Sequence, residues 1–217
     1  MKYFDFLYSL LFCLRYLPIK QALKVPILIS FKVKTKLHRG AIVIDTPNIY
    51  RYMITFGYKG YSLIPSAKSL LSIENGGNLL IKGKAVFAQG HRIWIQSNKK
   101  IVVGSNFYCN RNCIFRCSDN ITFGNDVLIG WNVSFNTTDG HCLVENGIKH
   151  INHGTIKIGN FVWIAADSKF QKNSGVFDFS VVAQSSLVTK IFTMPNSLLG
   201  GYQQSCLERT SHGKFSL

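Results

Sequence analysis

Ile158, Ile164, Phe170, Val176, Val182 and Val188 stand six residues apart without exception. Four positions after five of these, or their predecessors in phase, come Val162, Ser168, Ser174, Ser180 and Ser186, all small or β-branched. An amphipathic helix repeats its apolar residues every 3.6 positions and an ordinary strand every 2; neither produces a sustained six. A period of six fits a solenoid of three short strands per coil, about 18 residues in all. The apolar residue of each hexapeptide points into a prism and the small one lies near a corner. One coil cannot bury its own interior, so stacked neighbours must supply the core.

The same phase recurs upstream. Phe123, Ile129 and Phe135 form one triplet, Val103, Cys109 and Phe115 a second, and Ile81, Phe87 and Ile93 a weaker first one. The count is about five coils, at 81–98, 103–120, 123–138, 158–175 and 176–193. The expected domains are an N-terminal amphipathic helical segment at 1–36, an all-β parallel β-helix at 37–193 and a tail at 194–217. One large insertion, 139–157, interrupts the stack. A long loop in a regular scaffold usually carries function.

The N-terminal apolar residues Phe4, Leu7, Tyr8, Leu11, Leu14 and Leu17 recur at three and four, which is helical spacing. Asp5, Arg15, Pro18 and Lys20 break the run, so it falls short of the roughly 20 apolar residues of a membrane span. Two readings stay open. The segment packs against the main domain or a neighbouring copy, or it lies on the inner membrane face with help from Lys20, Lys24, Lys32, Lys34 and Lys36.

The chain has 25 Lys and Arg against ten Asp and Glu, a formal net charge of +15. That balance favours anionic partners. No recognisable basic-aromatic module accompanies it, so nucleic acid is not an expected partner. The six cysteines and the lack of a small-residue cleavage site after the first apolar run fit a cytoplasmic protein with free thiols. Cys109, Cys113 and Cys117 have a metal-like rhythm. Cys109 and Cys113, however, fall on interior positions of the repeat, which makes them small core residues, and no metal is expected.

Four stretches carry a family resemblance: Thr138-Asp139-Gly140-His141, the run Ile156 to Ile164, Ser186 to Lys190, and Asn196 to Leu199. In that order and spacing the chain, over roughly residues 70–201, resembles the hexapeptide-repeat acyltransferases, in the branch that acetylates sugars and polysaccharides. The resemblance implies a left-handed β-helix, a homotrimer, and acetyl-CoA held in a groove between neighbouring subunits. It also implies that the inserted loop carries the catalytic base, here His141. The chain departs from the family pattern at Ala165, at Phe177, Phe179, Ala183 and Ser185 in the last coil, and in the closing segment Gly201 to Ser205. In the family these positions help shape the CoA channel, so Ala165 and Ala183 are expected beside the cofactor.

The chemistry fits the residues. A sugar hydroxyl is a poor nucleophile and needs a base to take its proton as it attacks a thioester. A histidine, with an ordinary pKa of about 6.5, is the side chain suited to this near neutrality. Asp139 or Glu145 is placed in sequence to hold the other imidazole nitrogen, although Asp before Gly is also a common turn residue. Trp163 is either core packing or a wall of the acyl site. Lys190 is either a solvated cation or a contact for CoA phosphates. His150 and His153, at the end of the insertion, are candidates to bind the acceptor. The function expected is acetyl-CoA-dependent O-acetylation of a sugar in capsule, exopolysaccharide or lipopolysaccharide synthesis. A non-catalytic β-helix scaffold and an N-acyltransferase on an amino-sugar nucleotide are the alternatives.

Overall fold

Each hexapeptide forms one short strand, and three strands close one coil of a left-handed parallel β-helix. The structure is a computed structural model that describes residues 3–201 except 59, 62, 143 and 147, together with the backbone of 205–209. Face I stacks Ile27–Ile29, Ile54–Phe56, Ala85–Phe87, Phe107–Cys109, Leu128–Ile129, Trp163–Ile164, Val181–Val182 and Ser197–Gly200. Face II stacks Lys34–Lys36, Leu70–Ile73, Arg92–Ile95, Ile114–Cys117, Ser134–Asn136, Lys169–Phe170 and Leu187–Val188. Face III stacks Ile42–Ile44, Asn78–Ile81, Lys100–Val103, Ile121–Phe123, Ile156–Ile158, Ser174–Val176 and Ile191–Phe192.

The stack therefore has seven coils and begins at Ile27, where the sequence showed five beginning near Ile81. The expected boundary at residue 36 is corrected accordingly. Ile27 pairs with Ile54 and Lys34 with Leu70, both in parallel register, so the first coil lies inside the supposed helical segment. The expected tail is corrected as well, because Leu198 and Leu199 pair with Val181 and Val182 as an eighth strand of face I. The insertion ends at 155, since Ile156 pairs with Ile121 and Ser174. The early coils escaped the periodicity for a simple reason. A 13-residue stretch, 57–69, separates two successive strands of the second coil and resets the phase.

The interior is as the period requires. Ile158, Ile164, Phe170, Val176, Val182 and Val188 are all buried. Parallel register puts like residues on top of each other, so phenylalanines stack between coils. Phe115–Phe135 and Phe135–Phe170 lie with ring centroids 5.2 and 5.0 Å apart and nearly parallel planes. Such pairs add about 0.5–1.5 kcal/mol to simple area burial. Cys109, Cys113 and Cys117 are buried free thiols. Burial pushes Cys117 up to about 12, and burial with the neighbouring Cys113 raises Cys109.

The corners explain the missing glycines. Entering face I, Asn106, Asp126, Phe161, Phe179 and Asn196 all take a positive φ of 52–58°. Entering face II, Asn112, Asn132, Asp167 and Ser185 take a positive φ of 56–62°. Asn and Asp tolerate this region best, and their side chains bond between coils, as in Asn106 Nδ2 to Asp126 Oδ1 at 2.8 Å and Asn132 Nδ2 to Asp167 Oδ1 at 3.0 Å. Phe161 and Phe179 stack at 5.0 Å with planes 3° apart, which offsets part of the roughly 1–2 kcal/mol cost of the left-handed conformation. The departures at Phe179 and Ser185 thus leave the corner geometry intact.

Both open ends of the prism are covered. Helix α1 (Tyr3–Tyr16) and the single turn α2 (Ile19–Ala22) sit at the N-terminal end. Ser9, Phe12, Cys13 and Leu17 are buried at helical spacing, and the Ile29 N–H donates to Ser9 Oγ at 3.1 Å. The edge strand thereby finds a partner for an otherwise open backbone group. At the far end Ser205–Arg209 pairs antiparallel with Ser197–Gly200. Among the described residues no helix is long and apolar enough to cross a membrane.

His91 lies wholly buried against the rings of Phe56 and Phe87. Its Nδ1–H donates to the Ala88 carbonyl at 2.8 Å, and Nε2 has no partner. Burial holds its pKa down at about 4, with the Ala88 bond opposing. The folded value is below the ordinary 6.5, so the unfolded chain takes up the proton first as pH falls. Stability is then full above about pH 6.5 and declines toward pH 4, by at most about 1.4 kcal/mol per pH unit from this residue. Urea unfolding across that range is expected to show a shallower pH dependence in His91→Leu than in the wild type. Equal slopes would remove His91 from the account.

Candidate functional site

The insertion leaves the stack at the edge between faces II and III, in the fifth coil. Its neck is fixed by bonds to the coil before it. The buried Thr137 Oγ1 accepts from the N–H groups of Ser118 and Asp119 at 2.7 and 3.0 Å and donates to the Arg116 carbonyl at 3.0 Å. The two sides of the neck join through the Thr138–His153 bridge, the Asp139 N–H to the Asn152 carbonyl, and the Gly154 N–H to the Thr137 carbonyl. Beyond it Val144–Glu145 and Ile148–Lys149 form a small antiparallel hairpin.

His141 sits just above this neck, exposed to solvent. Gly140, with φ at 86°, makes the turn that delivers it, and the Gly140 N–H donates to Thr138 Oγ1 at 3.1 Å. Asp139 does not face the imidazole as its expected partner. Its carboxylate meets Lys172 Nζ at 2.6 Å, and the same ammonium donates to the Ile151 carbonyl at 2.8 Å. One lysine of the next coil thus ties both strands of the neck through a charge-assisted contact to Asp139. The Glu145 side chain lies outside the described residues, as does the closing segment from Tyr202 to Gln204.

His153 is likewise engaged. Its Nδ1 lies 3.1 Å from Asp119 Oδ2, and Lys99 Nζ is 3.7 Å from Asp119 Oδ1. Burial raises the Asp119 pKa, but the Asn120 N–H, His153 and Lys99 outweigh it and hold the carboxyl below its ordinary value. His153 is therefore a strut between the loop and the coil below. His150 is exposed at the other end of the hairpin. Asp119 and Lys172 are the two residues of the neck that sequence reasoning missed. They stand 34 and 33 positions from the residues they hold, Asp119 from His153 and Lys172 from Asp139, and only inter-coil stacking brings them near.

The expected cofactor residues divide between edges. Lys190 occupies the same edge as the insertion, two coils on, with its Nζ 5.3 Å from the Phe192 ring centre. Ala165 and Ala183 stack at the edge between faces I and II, where the Ala165 N–H donates to the Val182 carbonyl. Trp163 projects outward from face I, half exposed. In a triangular prism the edge between faces II and III is opposite face I. One chain therefore keeps His141 away from Trp163, Ala165 and Ala183. A cleft of about 440 Å³ lies over the last coils of face III, lined by Lys157, Gly159, Phe177, Asp178, Ile191 and Thr193. Among the described residues no group of three or more His, Cys, Asp or Glu is placed to hold a metal ion.

No protein-family model matches the chain. Galactoside O-acetyltransferase of Escherichia coli (strain K12) is 32% identical over 128 residues, 54% of this chain and 62% of that protein. The chain thus matches less than two thirds of the length of that curated relative. Among solved structures, a polySia-specific acetyltransferase superposes with a TM-score of 0.64 at 16% identity, over 88% of this chain and 79% of that one. A hexapeptide-repeat-containing acetyltransferase from Vibrio cholerae O1 biovar eltor, complexed with acetyl coenzyme A, gives a TM-score of 0.50 at 23% identity, over 64% and 73% of the two chains. The fold is that of the hexapeptide-repeat acetyltransferases.

Proposed function

We propose that this protein is an acetyl-CoA-dependent O-acetyltransferase that acts on a sugar hydroxyl, with His141 as the general base. The observation that carries the reading is the exposed His141 on a braced neck, at the longest interruption of the stack between successive strands. The partial identity to a galactoside O-acetyltransferase supports the same reaction class. Acetyl-CoA supplies an activated acetyl group as a thioester. His141 takes the hydroxyl proton as the oxygen attacks the acetyl carbon. The C–S bond breaks, the new C–O ester bond remains, and the imidazolium returns its proton to the leaving sulfur. Lys172 and the Asp119–His153 pair hold the loop so that His141 stays in place between turnovers. The cleft on face III suits the largely apolar arm of the thioester, with Lys157 in its lining, and Lys190 next in sequence to its Ile191, as cations for its phosphates. The intact corners at Phe179 and Ser185 weigh against a degenerate scaffold.

The site is completed by a second copy. Outward positions on face I are uncharged along its length, including Leu28, Val86, Tyr108, Leu128 and Trp163, and those on face III carry two charges, Lys100 and Lys157. The hairpin exposes Val144, Ile148 and Ile151, which suit an apolar neighbour. A closed trimer seats each hairpin against the next subunit and carries His141 toward that subunit's face I or III. Sedimentation equilibrium is expected to give the mass of three chains at micromolar concentration; a monomer there would refute the shared site.

The outer side of α1 exposes Phe4, Leu7, Leu11 and Leu14 at three- and four-residue spacing, beside Arg15, Lys20, Lys24 and Lys32. That is the pattern of an interfacial helix on an anionic bilayer. It agrees with a cytoplasmic enzyme, since acetyl-CoA is an intracellular compound, and with an acceptor assembled at a membrane. Co-sedimentation with phosphatidylglycerol vesicles, weakened at high salt and lost in Leu7→Asp/Leu11→Asp, is the expected result. Retention by the double variant equal to the wild type would rule this surface out.

His141→Ala is expected to lower acetyl transfer to a sugar acceptor by about 10²–10⁴. Its unfolding free energy should stay within about 0.5 kcal/mol of the wild type, because the residue is exposed outside the core. Near wild-type transfer by the variant would move the base elsewhere.

A further inference from the structure

The three faces of the prism differ in charge. Strand register assigns the outward positions of face II to two columns. One runs Lys34, Leu70, Arg92, Ile114, Ser134, Lys169 and the other Lys36, Ser72, Trp94, Arg116, Asn136. These columns hold five cations and no acid, whereas face I has no charge in its outward column and face III has two cations, Lys100 and Lys157. Lys34, Lys36, Arg92, Arg116 and Lys169 are all exposed. None of the five forms an ion pair with a described residue, although like charges on one sheet face repel. An unneutralised row of this kind is a cost to the fold unless an anion uses it.

Trp94 stands within the second column, half-buried beside Arg116 in the register. Its indole N–H donates to Glu74 Oε1 at 3.1 Å, and Glu74 Oε2 accepts from the Ser97 N–H and hydroxyl at 3.1 and 3.0 Å. The ring is thereby held in one orientation. A fixed indole offers a flat apolar surface to the C–H face of a pyranose. The column then leads to the insertion. The Arg116 carbonyl anchors Thr137, and the Arg116 guanidinium lies so close to Gly140 that a β-carbon there would stand 3.6 Å from it.

We infer that face II is a binding track for an acidic polysaccharide, laid along the prism axis from Lys34 and Lys36 past Arg92, Trp94 and Arg116 to the His141 loop. This rests on the proposed transferase function and specifies its acceptor as a polymer that bears carboxylates. The coil spacing of about 4.8 Å per strand is comparable to the length of one sugar residue, so successive coils meet successive sugars. From the first coil to Lys169 the track covers about 24 Å, five strand spacings. The cations stand singly on a flat face, with an aromatic ring between them and few exposed apolar side chains. That arrangement suits a hydrated anionic sugar chain better than a bilayer, and the track ends where a sugar hydroxyl is to be acetylated.

The test is binding itself, so it does not depend on turnover. Full-length wild type is titrated with polygalacturonate, with dextran of similar length as the neutral control and with poly(dT) as a polyanion that is not a sugar. Arg92→Gln/Arg116→Gln is compared with Lys82→Gln/Lys84→Gln, an equal charge loss at exposed positions off the face. Thermal melting first establishes that both variants are folded. Expected are salt-sensitive binding of polygalacturonate, no binding of dextran, a loss of about tenfold in affinity in the face II variant, which equals about 1.4 kcal/mol, and a much smaller loss in the control. Absence of polygalacturonate binding by the wild type, or equal losses in the two variants, overturns the track. Tighter, face-dependent binding of poly(dT) overturns the choice of a polysaccharide. A wild type that binds the polymer yet transfers no acetyl group to any sugar would instead count against the transferase reading and leave the track standing.

Discussion

Parallel, in-register stacking is the constraint on which everything else in this molecule depends. A coil of about 18 residues has three short strands and no interior of its own. It becomes stable only when the coils above and below bury its inward residues and take up its backbone N–H and C=O groups. Register is therefore not negotiable, because a shift by one residue would turn every inward side chain to solvent. The phenylalanine ladder through Phe115, Phe135 and Phe170, the buried thiols, and the left-handed corners at Asn112, Asn132, Asp167 and Ser185 are all consequences of that single requirement.

A scaffold of this kind can tolerate variation only at its edges and its ends, and that is where the distinguishing features lie. The ends need cover because they expose unpaired strand edges. Helix α1 supplies it at one end through Ser9, and an antiparallel strand at the other. At the edge between faces II and III the chain departs for the insertion and returns, and the coils on either side brace it through Asp119 below and Lys172 above. The same regularity that makes the prism rigid gives the loop fixed anchor points. The proposed general base, His141, can then be exposed without being loosely placed.

The outward positions are free of the packing constraint, so their composition reports on what each face meets. Face I has no charge at its outward strand positions and face III has two lysines, Lys100 and Lys157, so these are the faces proposed to meet other copies of the chain. Face II concentrates cations without acids. The net charge of +15 is therefore not spread evenly over the surface but is partly organised by register.

Much of this was legible in the sequence by itself. The period of six determined the β-helix, the inward residues from Ile158 to Val188, the core role of Cys109 and Cys113, and the point at which the stack is interrupted. Those are properties of spacing within one hexapeptide or the next, and local spacing survives in a linear string. The first two coils were hidden because the residues 57–69 reset the phase between strands that are adjacent in space. Only the tertiary structure decided that Asp139 binds Lys172 in place of His141, that His153 is a strut on Asp119, and that Trp94 and Arg116 share a column. Those partners lie a coil or more apart along the chain. The length of each corner and insertion sets which residues meet, and that sum is taken only when the coils close on one another.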